Sequence, residues 1–579
     1  MVDVALNPAE QAAEAVRARM YACIDRRKSF RLEAGAGAGK THSLIQALRY
    51  LIGRDGADLQ RRHQQVACIT FTNVATQEIE SRTDRHPAIR SSTIHAFCWS
   101  LIKDFQASLR AQLPKIEKWS ERLQESGGVG TRRIGYDEFG HRAINETSVA
   151  LHHDHVLVLT IELLKEVKFR TILAHRFPIL LIDEYQDTNK DFVEALKTHF
   201  IATGEGPLIG FFGDHWQKIY GSGCGKIEHA SLEVVGKEAN FRSVPVIVEC
   251  LNRMRPELPQ KVKDPTAEGF VGVYHTNGWA GKRRTGQHWK GDLPAEDAHA
   301  YLNLLKGRLA AEGWDLSPEK TKILMLTHKV LAAEQGYSNI EAVFEYNDAF
   351  IKKEDAHIAF FCDTLEPVCA AYERKHFGEM FAILGGGTPA ILLTADKVTW
   401  AKEMDELLRL RESGTIGAVL DHLKRTHRLN LPEAVERKER EFEKIAGAAS
   451  IDESSSIEPL RKLRDVSYKE IIALDRFIDD QTPFSTKHGV KGAEFENVIV
   501  VFGRGWNQYD FNQFLEWAGA PSQIPPDKQD AYERNRNLFY VVCSRPKKRL
   551  AALFTQELTI PAMNTLVNWF GSRSICSLV

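Results

Sequence analysis

Along the first 245 residues, short apolar runs rich in β-branched and aromatic residues alternate with segments whose apolar positions recur at helical spacing. "SFRLEA" leads through a glycine-rich turn into "THSLIQALRYLI", and "QQVACITFT" leads into "NVATQEIESR". "FPILLIDE" leads into "NKDFVEALKTHF", and "GPLIGFFGD" follows. That cadence predicts a parallel sheet wrapped by helices. Residues 104–172, with the turn-rich "QESGGVGTRRIG" inside them, break the alternation and predict a mostly helical insertion. From about 245 to 350 the strands are less marked, although "KTKILMLTH" predicts a buried strand running into a helix. Residues 354–478 are helical in pattern almost throughout, with "GAASIDESSS" as a polar loop. Strand character returns in "ENVIVVFG" and "KKRLAALF", on either side of the helical "DAYERNRNLFYVVCSR", and no repeat of fixed period occurs. The predicted class is α/β, with two domains, each carrying a mostly helical insertion. The first domain is expected over 1–103 and 173–243 with its insertion at 104–172, the second over 244–353 and 479–579 with its insertion at 354–478.

At 579 residues the chain is too long for a single core. Its 76 Lys and Arg against 77 Asp and Glu argue neither for nor against nucleic acid, so any phosphate-tracking surface must be local. No apolar run approaches the roughly 18 residues of a membrane span. The N-terminal "MVDVALNPAEQAAEAV" lacks the order of a secretory signal. Nine cysteines without C-x-x-C spacing argue against structural zinc and a disulfide framework, so a cytoplasmic protein with no membrane partner is expected.

Candidate chemistry begins at "AGAGAGKT". The general phosphate-loop pattern wants glycine six residues before its lysine, and Ala34 stands there. Gly35, Gly37 and Gly39 alternate with alanines, so backbone N–H groups can turn inward around phosphate oxygens at the start of a helix. Lys40 can then reach the β- and γ-phosphates, and Thr41 can ligate Mg²⁺. Alone, the loop says only that a nucleoside triphosphate binds. In "FPILLIDEYQDT" a buried strand delivers Asp183 and Glu184 at its tip. The first carboxylate suits the Mg²⁺ shell and the second can take a proton from an attacking water, which favours hydrolysis over kinase chemistry.

With these pieces in place the chain resembles the UvrD/Rep-like superfamily 1 DNA helicases, in order from residue 6 to about residue 554. "LNPAEQAAEAV" resembles the adenine-reading segment, which implies a contact from Gln11. "AGAGAGKT" matches the family's phosphate loop, where alanine is common at the first position, and implies that Ala36, Gly37, Ala38, Gly39, Lys40, Thr41 and His42 surround the nucleotide. "ITFTNVATQEI" and "STIHAFCWSLI" resemble motifs lining a single-strand track, implying roles for Thr72, Asn73 and His95. "FFGDHWQKIYGS" resembles the motif whose glutamine, here Gln217, senses the γ-phosphate. "NFRS" implies Arg242 at the γ-phosphate and Phe241 stacked on adenine. "HGVKGAEFENVIVV" implies Glu494 at the ribose and His488 near nucleic acid. "ERNRNLFYVVCSRPKKRL" implies Arg545 as an arginine supplied by the second α/β domain. The fold implied is two RecA-like P-loop domains, and the implied cofactors are ATP and Mg²⁺.

The sequence departs from the family in the strand track. Tyr220 holds one stacking position, but Ser222 and Gly223 replace an aromatic and an arginine, Ile94 replaces a phenylalanine, and Val74 replaces a lysine. Trp216 either compensates for these losses or packs against a neighbouring helix. The basic runs "HLKRTHR" and "ERKEREFEK" either meet duplex phosphates or form solvated helix faces. The resemblance implies an ATP-driven translocase and helicase on single-stranded or partly duplex DNA, travelling 3′ to 5′, in DNA repair, recombination or anti-phage defence. The alternative is an ATP-switched DNA-binding or regulatory subunit of a nuclease complex. The short second insertion resembles the compact Gabija-type helicase subunits of anti-phage systems, which work beside a separate nuclease-bearing ATPase. Only 34 residues follow Arg545, too few for a fused nuclease.

Overall fold

The computed structural model describes residues 6–136, 142–219, 221, 223–286, 289–325, 328–344, 347–385, 391, 393–446, 458–479, 484–486, 494–504 and 509–579. The chain forms two compact units.

The first unit is built on six parallel strands: β1 (Phe30–Ala34), β2 (Val66–Thr70), β3 (Ile89–Thr93), β7 (Ile179–Asp183), β8 (Leu208–Gly213) and β9 (Glu233–Lys237), in the order β3-β2-β7-β8-β1-β9. The period-two rule shows directly in the packing. Val66, Cys68, Ile179 and Leu181 face one apolar core, while Ala67, Ile69, Leu180 and Ile182 face another on the opposite side. Helices α1 (Pro8–Asp25), α2 (Lys40–Arg61), α3 (Asn73–Arg82) and α4 (Ile94–Ile102) open this unit. α1 starts with a capping box between Asn7 and Glu10 and with Pro8 in its first turn. Because the sheet is parallel, Ala34, Thr70, Thr93, Asp183, Gly213 and Lys237 all end their strands on one edge, the edge where α/β sheets place ligands.

The insertion expected over 104–172 has helices Gln106–Gln112, Glu117–Glu125, His153–Leu164 and Val167–Arg176, and also a small sheet of β4 (Arg133–Gly135), β5 (Ala143–Ile144) and β6 (Ser148–Ala150). Leu109, Trp119, Ile134 and Leu163 share one core with Ile69 and Leu180, so the insertion packs on the sheet it interrupts. Short strands β10 (Ala239–Asn240) and β11 (Lys261–Val262) pair in parallel beyond β9.

A second six-stranded sheet has the order β14-β13-β15-β16-β12-β17, from β12 (Phe270–His275), β13 (Thr321–Met325), β14 (Phe484–Thr486), β15 (Phe495–Phe502), β16 (Pro546–Phe554) and β17 (Ile575–Ser577). β13 runs parallel to both β14 and β15. The expected helical insertion of this second half has its own core, including Phe361, Trp400, Leu420 and Tyr468. Inside that core Arg411 grips the Glu366 carboxylate with two nitrogens, and the Tyr468 hydroxyl donates to the same group at 2.9 Å.

The compact units divide the chain differently from the ranges read off the sequence. The first takes Met1–Gly272, Phe511–Leu550 and Thr559–Ile575, and the second takes Val273–Asp510, Ala551–Leu558 and Cys576–Val579. Phe511–Leu550, expected with the second domain, joins the first because the helix Gln529–Cys543 packs against the turn His215–Gln217. Asn537 Nδ2 donates to the His215 carbonyl at 3.2 Å, and the Tyr540 ring meets Trp216 edge-on at 5.3 Å. Among the described residues no helix is long and apolar enough to cross a membrane.

Candidate functional site

β1 delivers the glycine loop to the ligand edge of the first sheet. Ala34, buried at the end of β1, has no left-handed backbone, so a methyl group fits where the general pattern asks for glycine. The left-handed positions fall later, at Gly37 (φ 74°) and Gly39 (φ 71°). The loop is tied down through its carbonyls. Asn240 Nδ2 and Gln260 Nε2 each donate to the Ala36 carbonyl at 3.0 Å, Phe241 N donates to that of Gly37 at 2.8 Å, and Lys237 Nζ to that of Gly39 at 3.1 Å. Holding the carbonyls on that side leaves the first-turn N–H groups of α2, at Lys40 and Thr41, directed out of the helix end, where an anion is stabilised.

Asp183 and Glu184 follow β7, and Glu184 takes a left-handed conformation (φ 49°) that glycine or asparagine would hold more easily. The turn brings Glu184 Oε1 within 2.6 Å of Lys40 Nζ. Burial opposes the Lys40 charge, but Glu184, then Asp183, outweigh it and hold the ammonium above its ordinary range. Gly213 ends β8 because any side chain there would strike the Tyr185 ring and the Gln186 amide.

The turn after β8 carries Gln217. Its amide nitrogen donates to Asp214 Oδ2 at 2.8 Å, and its carbonyl oxygen accepts from Arg545 Nη2 at 3.2 Å. Arg242, from the segment that clamps the loop, donates through Nη1 to the Ser544 carbonyl at 3.0 Å. Arg545 is buried, and burial, followed by the nearby Arg242 charge, pushes its guanidinium down to about 9. Glu184 and Asp214 act electrostatically on both Lys40 and Arg545, so the two cations share one set of carboxylates. Three cations gathered this way suit a polyanion whose charge grows at one end.

Behind the loop lies a network that sequence reading missed. Glu33 accepts from Tyr185 OH and His215 Nδ1 at 2.6 Å each, and Arg255 bridges Glu33 (3.1 Å) and Asp214 (2.6 Å). Burial would raise the Glu33 carboxyl, yet its bond with His215 and the charges of His215 and Arg255 hold it far below the usual carboxylate range. Glu33, Asp214 and His215 lie close enough together to hold a cation, but the Arg255 guanidinium already fills that electrostatic role. The available clue was a pair of charged residues, Arg31 and Glu33, inside an otherwise apolar strand; they form an ion pair at 3.2 Å.

Residues 17–129 and 136–230 match the family described as "UvrD/REP helicase N-terminal domain". The matched residues all lie within the first compact unit. Over 93% of its length the chain is 24% identical to the Gabija protein GajB of Bacillus cereus (strain HuB5-5), spanning 95% of that protein. It is 24% identical to the ATP-dependent DNA helicase Rep of Escherichia coli (strain K12) over 43% of the chain and 42% of Rep. The ATP-dependent DNA helicase PcrA of Staphylococcus aureus (strain Mu50) matches at 24% over 38% of the chain and 37% of PcrA. The chain therefore spans less than half of Rep and PcrA and nearly all of GajB.

The remaining expected residues fall in different settings. Gln11 Nε2 donates to the Leu6 carbonyl at 2.8 Å on an exposed turn of α1, and His42 lies in the first turn of α2. Phe241 is partly exposed, its ring 5.8 Å from Lys237 Nζ. Glu494 is exposed and belongs to the second unit. Thr72 caps α3 through Ala75 N, Asn73 follows it, and Phe71 and Val74 stand exposed beside them. His95 packs its ring 5.3 Å from His153, and burial, then the His153 charge, lowers its basicity. Ile94, where the family has an aromatic, points into the core.

Trp216, counted with the nucleic-acid residues, is corrected by the structure. It is 8% exposed, with Arg536 Cζ 4.4 Å and Arg255 Cζ 5.2 Å from its ring, so cation–π contacts and Tyr540 occupy the surface a base would need. Tyr220, Ser222 and His488 lie outside the described residues.

Proposed function

We propose that this chain is an ATP-dependent translocase and helicase acting on single-stranded or partly duplex DNA. The observation that carries the reading is the meeting of Gln217 with Arg545 beside the carboxylates that also surround Lys40. In this reading the triphosphate draws Lys40 away from Glu184, and the freed carboxylate accepts the proton of the attacking water. Gln217, Arg242 and Arg545 meet the charge that develops on the γ-phosphate. Thr41 and Asp183 supply the hard oxygen donors Mg²⁺ prefers, and the ion would neutralise phosphate charge when bound. Phe241 gives the adenine a partly exposed ring to stack on, with Gln11 and Glu494 assigned to base and ribose by resemblance alone. Thr72, Asn73 and His95, with Tyr220 and His488, are assigned the strand.

By likeness to GajB over most of its length, we extend the proposal to a cytoplasmic defence helicase that works beside a separate nuclease subunit and moves 3′ to 5′. A second reading, a nucleotide-switched regulatory subunit that does not unwind, is supported by Ile94 standing where an aromatic is expected and by the burial of Trp216, which together leave two fewer stacking surfaces.

ATP hydrolysis and strand displacement, measured for wild type and Lys40→Ala with and without single-stranded DNA, separate the readings. Stimulation that fades steeply with salt, together with displacement, supports the helicase. Stimulated hydrolysis without displacement selects the switch, and unstimulated hydrolysis removes the motor. Duplexes with a 3′ or a 5′ tail decide polarity.

A further inference from the structure

Lys237 is a buried cation placed where an apolar residue would do. It ends β9, paired with Ala34 of β1 in parallel register, and shares the inward face of its strand with the buried Val235. Its side chain is 1% exposed. Three other cations packed around the loop have carboxylates in direct contact: Lys40 has Glu184 at 2.6 Å, Arg31 has Glu33 at 3.2 Å, and Arg255 has Asp214 at 2.6 Å. Lys237 instead donates to two neutral oxygens, the Gly39 carbonyl at 3.1 Å and Ser43 Oγ at 2.7 Å. Those two residues bracket the first turn of α2, so the ammonium lies against the positive end of a helix, which disfavours it.

A charge held in this way costs stability unless a ligand offsets it. Burial alone pushes the Lys237 ammonium down to about 8. Beside it, His42 is lowered by burial and then by Lys237, Arg82, Arg49 and Arg17, which marks this flank of the loop as electropositive. Arg82 and Arg17 pair with Glu78 and Glu14, while Lys237 and Arg49 donate to neutral oxygens, Arg49 to the Arg82 carbonyl, and of these two Lys237 is the buried one. The Phe241 ring, the expected adenine platform, lies 5.8 Å from Nζ. With Phe241 assigned to the adenine, this flank is the base-proximal side of the loop.

We infer that Lys237 is a nucleotide-binding residue that compensates the phosphate nearest the ribose, and so sets affinity for di- and triphosphate alike without acting on hydrolysis. The inference rests on the loop being the nucleotide site. It is tested by titrating ADP with Mg²⁺ into wild type, Lys237→Met, Lys237→Arg and Lys40→Ala, with melting temperature and ATPase kinetics on the same samples. Lys237→Met is expected to weaken ADP about tenfold and to raise KM for ATP by the same factor at unchanged kcat. Its ligand-free melting temperature should stay level or rise, because a desolvated charge has been removed, and Lys237→Arg should keep most of the affinity. If Lys40→Ala loses ADP while Lys237→Met binds it as wild type does, the inference is overturned and the nucleotide reading stands. A lowered ligand-free melting temperature with unchanged ADP affinity would show a purely structural clamp and also overturn it. If wild type binds no ADP, both fall together.

Discussion

Arg545 Nη2 donates to Oε1 of Gln217 at 3.2 Å across 328 positions of sequence, and Gln217 passes the connection to Asp214 at 2.8 Å. Because Arg255 pins Asp214 from the other side, the glutamine amide cannot rotate without breaking a buried bond. In the proposed reaction the pair is held ready for charge that develops beside Lys40 and Arg545.

Arg545→Ala is therefore expected to lower kcat for ATP by about a thousandfold, with KM changed only a few-fold. Arg545→Lys should not restore it, because a point charge cannot reproduce the guanidinium fork. Steady-state hydrolysis with single-stranded DNA checks this, and full turnover in the alanine variant would remove Arg545 from the site.

Glu184→Gln leaves the loop and its helix end intact and breaks the ion pair that holds Lys40. Nucleotide affinity should be kept or improved, while single-turnover hydrolysis falls by roughly 10² to 10⁴. Equal losses in binding and hydrolysis would show that the carboxylate only supports the fold.

Trp216→Ala opens a cavity among Arg255, Arg536 and Tyr540, at an expected cost of about 3–5 kcal/mol to the first unit. Thermal melting should show the loss, and single-stranded DNA affinity of the folded fraction should stay unchanged. Unaltered melting with weakened DNA binding would return Trp216 to the strand track.

In the second unit, His357 sits buried with Asp355 Oδ1 at 3.7 Å and Glu439 Oε1 at 3.4 Å. Burial opposes its charge, but these two carboxylates prevail and raise it above its ordinary 6.5. A raised basic group contributes stability that is complete below its unfolded value and is lost as pH rises through the folded one. Helices Ala356–Phe360 and Glu433–Ala446 should therefore exchange amide hydrogens faster, relative to His357→Gln, on going from about pH 6 to about pH 9. A difference between the two proteins that does not change with pH would contradict the assignment.

The local parts of the site were legible in one dimension because their chemistry is local. A glycine run between an apolar strand and a helix can do little but present N–H groups, so Gly37, Gly39, Lys40 and Thr41 stand out from spacing alone as candidates. Asp183 and Glu184 announced themselves by ending an apolar run. Ala34 looked like a defect, and the structure shows why it is tolerated: positive φ is needed at Gly37 and Gly39, further along the loop.

The sequence by itself determined the α/β class, the strands that carry the loop and the carboxylates, and the order of the motifs that resemble the family, since each depends on periodicity or on neighbours a few positions away. Tertiary structure alone decided which distant groups meet. It set Arg545 in the same compact unit as Lys40, turned Trp216 and Ile94 inward, wove Glu33, Asp214 and Arg255 into one buried network, and left Lys237 charged against neutral oxygens. The reason is that burial and charge compensation are sums over all elements packed around a group. No window of sequence contains those neighbours.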